Sequence, residues 1–177
     1  MNRLTITDLK EIINGNRSYS YSEQDIGSAL KSFNFLKSFP KNNLVYGVNT
    51  GFGPMADFKI NKEDQIKLQY NLIRSHSSGM GAVLPTKVVK LIMIIRLHTF
   101  LQGKSGVSQS LINTLSNYID NGIYPDIYEH GGVGASGDLV QLAHLALGII
   151  GEGKGENNKG EKDHISKLIK ESNLQPH

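Results

Sequence analysis

A chain of 177 residues, 38% apolar and 20% charged, has an ordinary globular composition and enough length to bury one sizeable core, so a single domain over 1–177 is expected. The formal charge of +3 is spread among acids along the chain, which excludes the basic stripe with interleaved aromatics that a nucleic-acid partner requires. Cysteine is absent, which removes disulfides, thiol nucleophiles and thiolate metal sites; without a signal-like apolar start, and with its most apolar run (88–97) broken by Lys90 and Arg96, the chain is expected to be cytoplasmic and free of membranes.

Thr7 or Asp8 is placed to cap a short helix ending near Asn14-Gly15, and Ser22, followed by acids, starts a second that runs to about Ser38 before Pro40. Leu44 to Val48 is a short apolar run between Asn and Gly clusters and predicts a brief strand, followed by a glycine-punctuated loop from Asn49 to Pro54. Asn61, with Asp64 three residues on, starts a helix in which Leu68, Leu72 and His76 share a stripe and which Ser77-Ser78-Gly79 stops. Pro85-Thr86 opens a long helix to about Gln102-Gly103, apolar on most faces and therefore buried. Ser108 caps another, ending at Asn121-Gly122. The next begins at or just after Gly137 and ends at Gly151; only Asp138, Gln141 and His144 are polar in it, so one narrow side meets polar groups and the rest meets core. Gly153 to Asp163, rich in Lys, Glu, Asn and Gly, reads as a solvated loop, and a weak helix from Ile165 to Glu171 follows. The sum is a mainly α fold with a small β component.

The approach to the buried helix, Gly131-Gly-Val-Gly-Ala-Ser-Gly137, is built from small residues, and several chemistries use such a turn. Gly132 to Gly137 matches the G-x-G-x-x-G dinucleotide fingerprint. Its context does not: Tyr124 to His130 is a poor central strand, and no second strand with a terminal acid lies about twenty residues on, so no nucleotide cofactor is expected. A nucleophile elbow needs glycine where Asp138 stands, and His144 lies nearly two helical turns beyond that acid. Two readings then stay open. In one, Ser136 simply caps the helix. In the other, a compressed turn lets the Gly137 amide nitrogen attack the Ala135 carbonyl carbon and close a five-membered ring. Loss of one water from that adduct and of the Ser136 hydroxyl as a second leaves a methylidene imidazolone, an electrophile made from the backbone. Glycine at 137 leaves the approach unblocked, and the helix N-terminus favours negative charge on the ring oxygen.

The stretch Val133-Gly-Ala-Ser-Gly-Asp-Leu139 with Leu142, continued by His144-Leu-Ala-Leu-Gly148 and Gly151-Glu-Gly153, resembles the signature of the aromatic amino acid ammonia-lyases, the histidine, tyrosine and phenylalanine ammonia-lyase family. Val45-Tyr46-Gly-Val-Asn-Thr-Gly-Phe-Gly53 resembles the family's tyrosine loop, and Asn71-Leu-Ile-Arg-Ser-His76-Ser-Ser-Gly79 its substrate-selecting helix end. The motifs stand in the family's order, the similarity runs over nearly the whole chain, and its character is closest to bacterial tyrosine and histidine ammonia-lyases. Gln141 departs from the proline that many members carry there.

The resemblance implies the N-terminal domain of the ammonia-lyase fold, lacking the family's long central helical bundle. It implies non-oxidative elimination of ammonia from an aromatic L-amino acid, L-histidine to urocanate or L-tyrosine to coumarate. Ala135, Ser136 and Gly137 would form the 4-methylidene-imidazol-5-one (MIO) group autocatalytically, with no metal and no nucleotide. Tyr46 would remove the β-proton, His76 would select the substrate ring, and Gly51 and Gly53 would let the loop pass close to substrate. Asp138 would support the prosthetic ring. His144 reads as a satisfied core histidine, and His98, His130, His164 and His177 carry no pattern. The partners implied are a small amino acid substrate and further copies of the chain in a homotetramer. The chain alone is expected to have little or no activity. Two alternatives stand beside this: a catalytically inactive truncated homologue that acts only through binding, and an aminomutase with the same prosthetic group.

Overall fold

The computed structural model describes residues 3–39, 43–132 and 139–177. A short helix α1 (Ile6–Ile13) and a longer one α2 (Glu23–Ser38) come first, each opened by a reciprocal capping box, Thr5 with Asp8 and Ser22 with Asp25. The first cap thus falls on Thr5 instead of Thr7 or Asp8, because only Thr5 has an acid three residues on whose carboxylate reaches back to its own N–H, at 2.8 Å. Next come α3 (Lys62–His76), α4 (Thr86–Leu101) and α5 (Gln109–Asp120), starting and stopping where their capping residues predict. The chain continues through α6 (Leu139–Ile149) and closes with α7 (Ile165–Glu171).

The core is organised around α4, which is apolar almost all the way round. Met93, Ile94 and Leu97 are fully enclosed, and Met93 and Leu97 share one core cluster with Ile112, Leu115 and Tyr118 of α5. Among the described residues, Tyr118 Oη is buried without a hydrogen-bond partner, and burial pushes its phenol up to about 12. A hydroxyl taken out of water with nothing to bond destabilises the fold. Tyr118→Phe is therefore expected to stabilise it by about 1 kcal/mol, read as a higher urea midpoint at unchanged slope.

Short strands flank this helical centre. β1 (Met80–Val83) pairs antiparallel with β3 (Tyr128–His130), and β2 (Ile123–Pro125), β4 (Lys154–Asn157) and β5 (Lys162–His164) form a three-stranded antiparallel sheet in the order β2-β4-β5. Tyr124 to His130 is thus shared between two sheets. Gly153 to Asp163 is a hairpin and not a solvated loop: Asn157 Oδ1 accepts from the N–H groups of Lys159 and Glu161 at 3.0 Å each, and Gly160 supplies φ 80° for the turn. Its polar residues suit an edge, and Gly155 is the position buried against β2.

Leu44 to Val48 does not form the expected strand. Side chains take the backbone groups that a ladder would use: Asn49 Oδ1 accepts from Val45 N–H at 2.7 Å, Asn49 Nδ2 donates to Asn43 O at 2.8 Å, and Thr50 Oγ1 accepts from Gly47 N–H at 3.3 Å. Gly47, at φ 72°, completes a turn. No helix among the described residues is long and apolar enough to cross a membrane.

Candidate active site

The end of α3 is the most firmly built part of the region. His76 Nδ1 lies 3.0 Å from Leu72 O, which can only accept, and 3.1 Å from Ser75 Oγ, so Nδ1 is the nitrogen that donates to Leu72 O and in the neutral ring Nε2 is the acceptor. Ser77 closes the helix twice, its N–H and its hydroxyl both donating to Ile73 O. Two residues before His76, Arg74 makes a two-pronged ion pair with Glu152, Nε to Oε2 at 3.0 Å and Nη2 to Oε1 at 2.6 Å, tying α3 to the segment after α6.

Gly79, three residues beyond His76, is held from the other side. Its N–H donates to His144 Nε2 at 2.9 Å. His144 is 7% exposed and lies against the Tyr128 ring, centroids 5.0 Å apart. Burial lowers its proton affinity, with Asp126 opposing weakly, so the ring is neutral with its proton on Nδ1. A Cβ on Gly79 would lie 2.8 Å from that Nε2 and 2.8 Å from Tyr128 Cβ, so backbone and ring meet where no side chain fits.

Gly79 meets the residues on either side of 133–138. On the upstream flank, Gly131 has φ 141°, and a Cβ there would lie 2.6 Å from Val140 Cγ1 and 3.3 Å from Gly79 Cα. On the downstream flank, α6 buries Val140, Ala143 and His144, while Leu139 and Leu142 stay 44% and 37% exposed. His144 is the enclosed, partnered histidine that the sequence suggests, and the departure from the expected apolar sides is confined to Leu139 and Leu142. Ala135, Ser136, Gly137 and Asp138 lie outside the described residues.

The tyrosine loop is a separate piece. Tyr46 is 62% exposed, its hydroxyl oxygen accepts from Gly53 N–H at 3.3 Å, and its ring meets Phe52 edge-on. Gly53 sits at φ 55° in open space, whereas a Cβ on Gly51 would strike Met55 Cβ at 2.5 Å; the close approach at Gly51 is to the loop's own turn. The loop reaches α3 through Gln69 Nε2, which donates to Gly47 O at 3.3 Å, two turns before His76. The structure therefore brings Gly79, just beyond α3, against both flanks of residues 133–138, and it connects Tyr46's loop to α3 through Gln69. A cleft of about 540 Å³ lined by Phe33, Leu36, Val48, Ile60 and three lysines lies by Asn49 and does not include Tyr46. Among the described residues no group of His, Asp and Glu is placed to hold a metal.

The sequence alone missed the Arg74 to Glu152 pair, which spans 78 positions and leaves no local signal. It did mark His144 as enclosed, from its place on a nearly apolar helix, but not its partner.

Burial also lowers the proton affinity of His98 and His177, alongside His144. A histidine harder to protonate when folded contributes stability that is complete above its unfolded pKa and is lost as pH falls through the depressed folded value. Urea midpoints are accordingly expected to fall as pH is lowered from about 7 to about 5, and less steeply in His144→Gln.

A family model described as aromatic amino acid lyase matches residues 4–177. The chain is 50% identical over 120 residues to a probable histidine ammonia-lyase of Thermoplasma volcanium, covering 68% of this chain and 24% of that protein. It is 38% identical over 174 residues to the histidine ammonia-lyase of Staphylococcus saprophyticus, covering 98% of this chain and 35% of that one. The solved structure of the tyrosine aminomutase from Streptomyces globisporus superposes with a TM-score of 0.86 at 30% identity, over 98% of this chain and 32% of that chain. The chain thus spans about a quarter to a third of the length of the proteins it matches.

Proposed function

The chain belongs to the aromatic amino acid lyase family, and from that premise we propose that it serves the non-oxidative elimination of ammonia from an aromatic L-amino acid, with L-histidine the first candidate substrate. The observation that carries this reading is the packing of Gly79 on His144 and Gly131, which sets the end of α3 beside both flanks of the Ala135-Ser136-Gly137 turn.

Ala135, Ser136 and Gly137 would supply the 4-methylidene-imidazol-5-one group. The flanks fit such a group: backbone passes backbone at Gly131 and Gly79 at a distance a side chain would fill. When formed, the group offers an electrophile that improves the leaving ability of the substrate's amine. The remaining work falls to side chains. Tyr46 is assigned the β-proton; the Gly53 amide donates to its oxygen, the polarity that stabilises charge developing there, and its own O–H is not spent in that bond. His76, with Nε2 free to accept, would orient a substrate ring that carries a donor, an imidazole N–H or a phenol O–H. The substrate and further copies of the chain in a homotetramer are the partners proposed.

The test is to follow product absorbance on the intact gene product with histidine and tyrosine separately. Urocanate without coumarate supports histidine, the reverse supports tyrosine, and neither product sinks the lyase reading. The likeness to a tyrosine aminomutase favours one second reading, in which the amine returns to the product as a β-amino acid; chromatography of the products separates the two.

A further inference from the structure

We infer that His144 is a positioning residue for substrate selection: through Gly79 it fixes the end of α3, and so His76, relative to α6, the helix that follows the Ala135-Ser136-Gly137 turn. The inference rests on the proposed reading that His76 faces the substrate ring.

The geometry leaves His144 little other use. It is buried and lies on α6, five residues into that helix, and its Nε2 receives an amide proton from a segment 65 positions earlier. Gly79 needs that acceptor. Gly79 is half-buried, a Cβ on it would strike both the imidazole and Tyr128 Cβ, and an amide so hemmed in loses a hydrogen bond when its acceptor is removed. Between His144 and His76 the linkage is short and stiff. Ser77 is fixed to Ile73 by two donors, Gly79 is fixed to His144, and His76 itself is tied to Leu72 O. A shift of α6 relative to α3 therefore changes where His76 Nε2 lies with respect to anything bound at the start of α6. Arg74 with Glu152 ties α3 only to the segment after α6, at the surface, and exposed pairs of that kind hold position weakly.

The contact also demands a neutral ring, because protonation at Nε2 would set an N–H against the Gly79 N–H. The groups facing His144 from the elements around it are Asp126, Tyr128, Glu152 and Lys154, which line a cavity of about 170 Å³ beside it. Substrate affinity is thus expected to weaken at acid pH in the wild type.

Glutamine places an acceptor oxygen near the position of Nε2, whereas leucine fills the space without one. In His144→Leu the Gly79 amide is expected to exchange with deuterium at least ~10-fold faster, while core amides such as that of Leu97 keep their protection. On the intact gene product, KM for the aromatic amino acid is expected to rise roughly tenfold with kcat within about threefold, since only binding of the ring is disturbed. His144→Gln is expected to restore both Gly79 protection and KM. Should His144→Leu fail to fold, His144→Asn, whose amide falls one bond short, takes its place.

Unchanged Gly79 exchange in His144→Leu would overturn the hydrogen-bond role. Faster exchange with KM and kcat both untouched would reduce His144 to a packing residue and overturn the inference. A fall in kcat at constant KM would do the same, since it would place the effect on the reacting atoms. A wild type that turns over neither histidine nor tyrosine would sink the functional reading instead, with the Gly79 exchange result standing apart from it.

Discussion

Ser136→Ala is expected to lower ammonia elimination by the intact gene product at least ~10³-fold, roughly 4 kcal/mol or more of barrier. Alanine has no hydroxyl to lose, so the methylidene carbon cannot arise, and substrate would be left with a poor leaving group and a weakly acidic β-proton. Intact mass checks the cause independently of rate. The wild type should weigh less than its calculated chain by two water molecules, and the alanine variant should not show that full deficit. Turnover retained in Ser136→Ala would remove the backbone-derived electrophile from the reading. A wild-type mass equal to the unmodified sequence would favour the inactive homologue.

Gly148→Leu is expected to destabilise the fold by about 3 kcal/mol, the upper end for overpacking, and so to lower the melting midpoint by roughly 10 °C for a domain of this size. A Cβ at 148 would lie 2.4 Å from Pro125 Cγ and 2.6 Å from Pro125 Cβ. The proline ring cannot swing away, and the strand behind it is equally confined: a Cβ on Gly155, paired with Pro125, would meet Tyr124 O at 2.5 Å. The relief available is displacement of α6 as a body, which would also pull His144 from Gly79. Calorimetry reads the first effect and deuterium exchange at Gly79 the second. A midpoint within about 2 °C of wild type would show that the α6 to β2 contact is softer than the geometry states.

The helices were legible in the sequence because their signals are local. Asn61, Ser108 and the Ser22 with Asp25 pair satisfy amides within a few residues of themselves, and nothing distant overrides them. The strands were not, because their partners are remote. Met80–Val83 carries little strand character and exists through pairing with Tyr128–His130, while the polar Lys154–Asn157 is a strand through β2. Leu44–Val48 errs the other way: its apolar run suggested a ladder, and Asn49 and Thr50 consumed the donors and acceptors first. At the candidate site, residue types were visible in the motifs around Tyr46, His76 and Ser136. Their mutual placement was not, since it depends on a glycine amide meeting a histidine across two helices.

That meeting has a consequence for biosynthesis. A chain leaves the ribosome from its N-terminus, so α3, Gly79 and β1 emerge well before the glycine run, whereas His144 follows that run by only a few residues. The Gly79 side of the contact is therefore supplied in advance, and the His144 side only when α6 docks. Any maturation that depends on enclosure must wait for that docking, and a nascent chain stalled before residue 144 would carry an unprocessed turn.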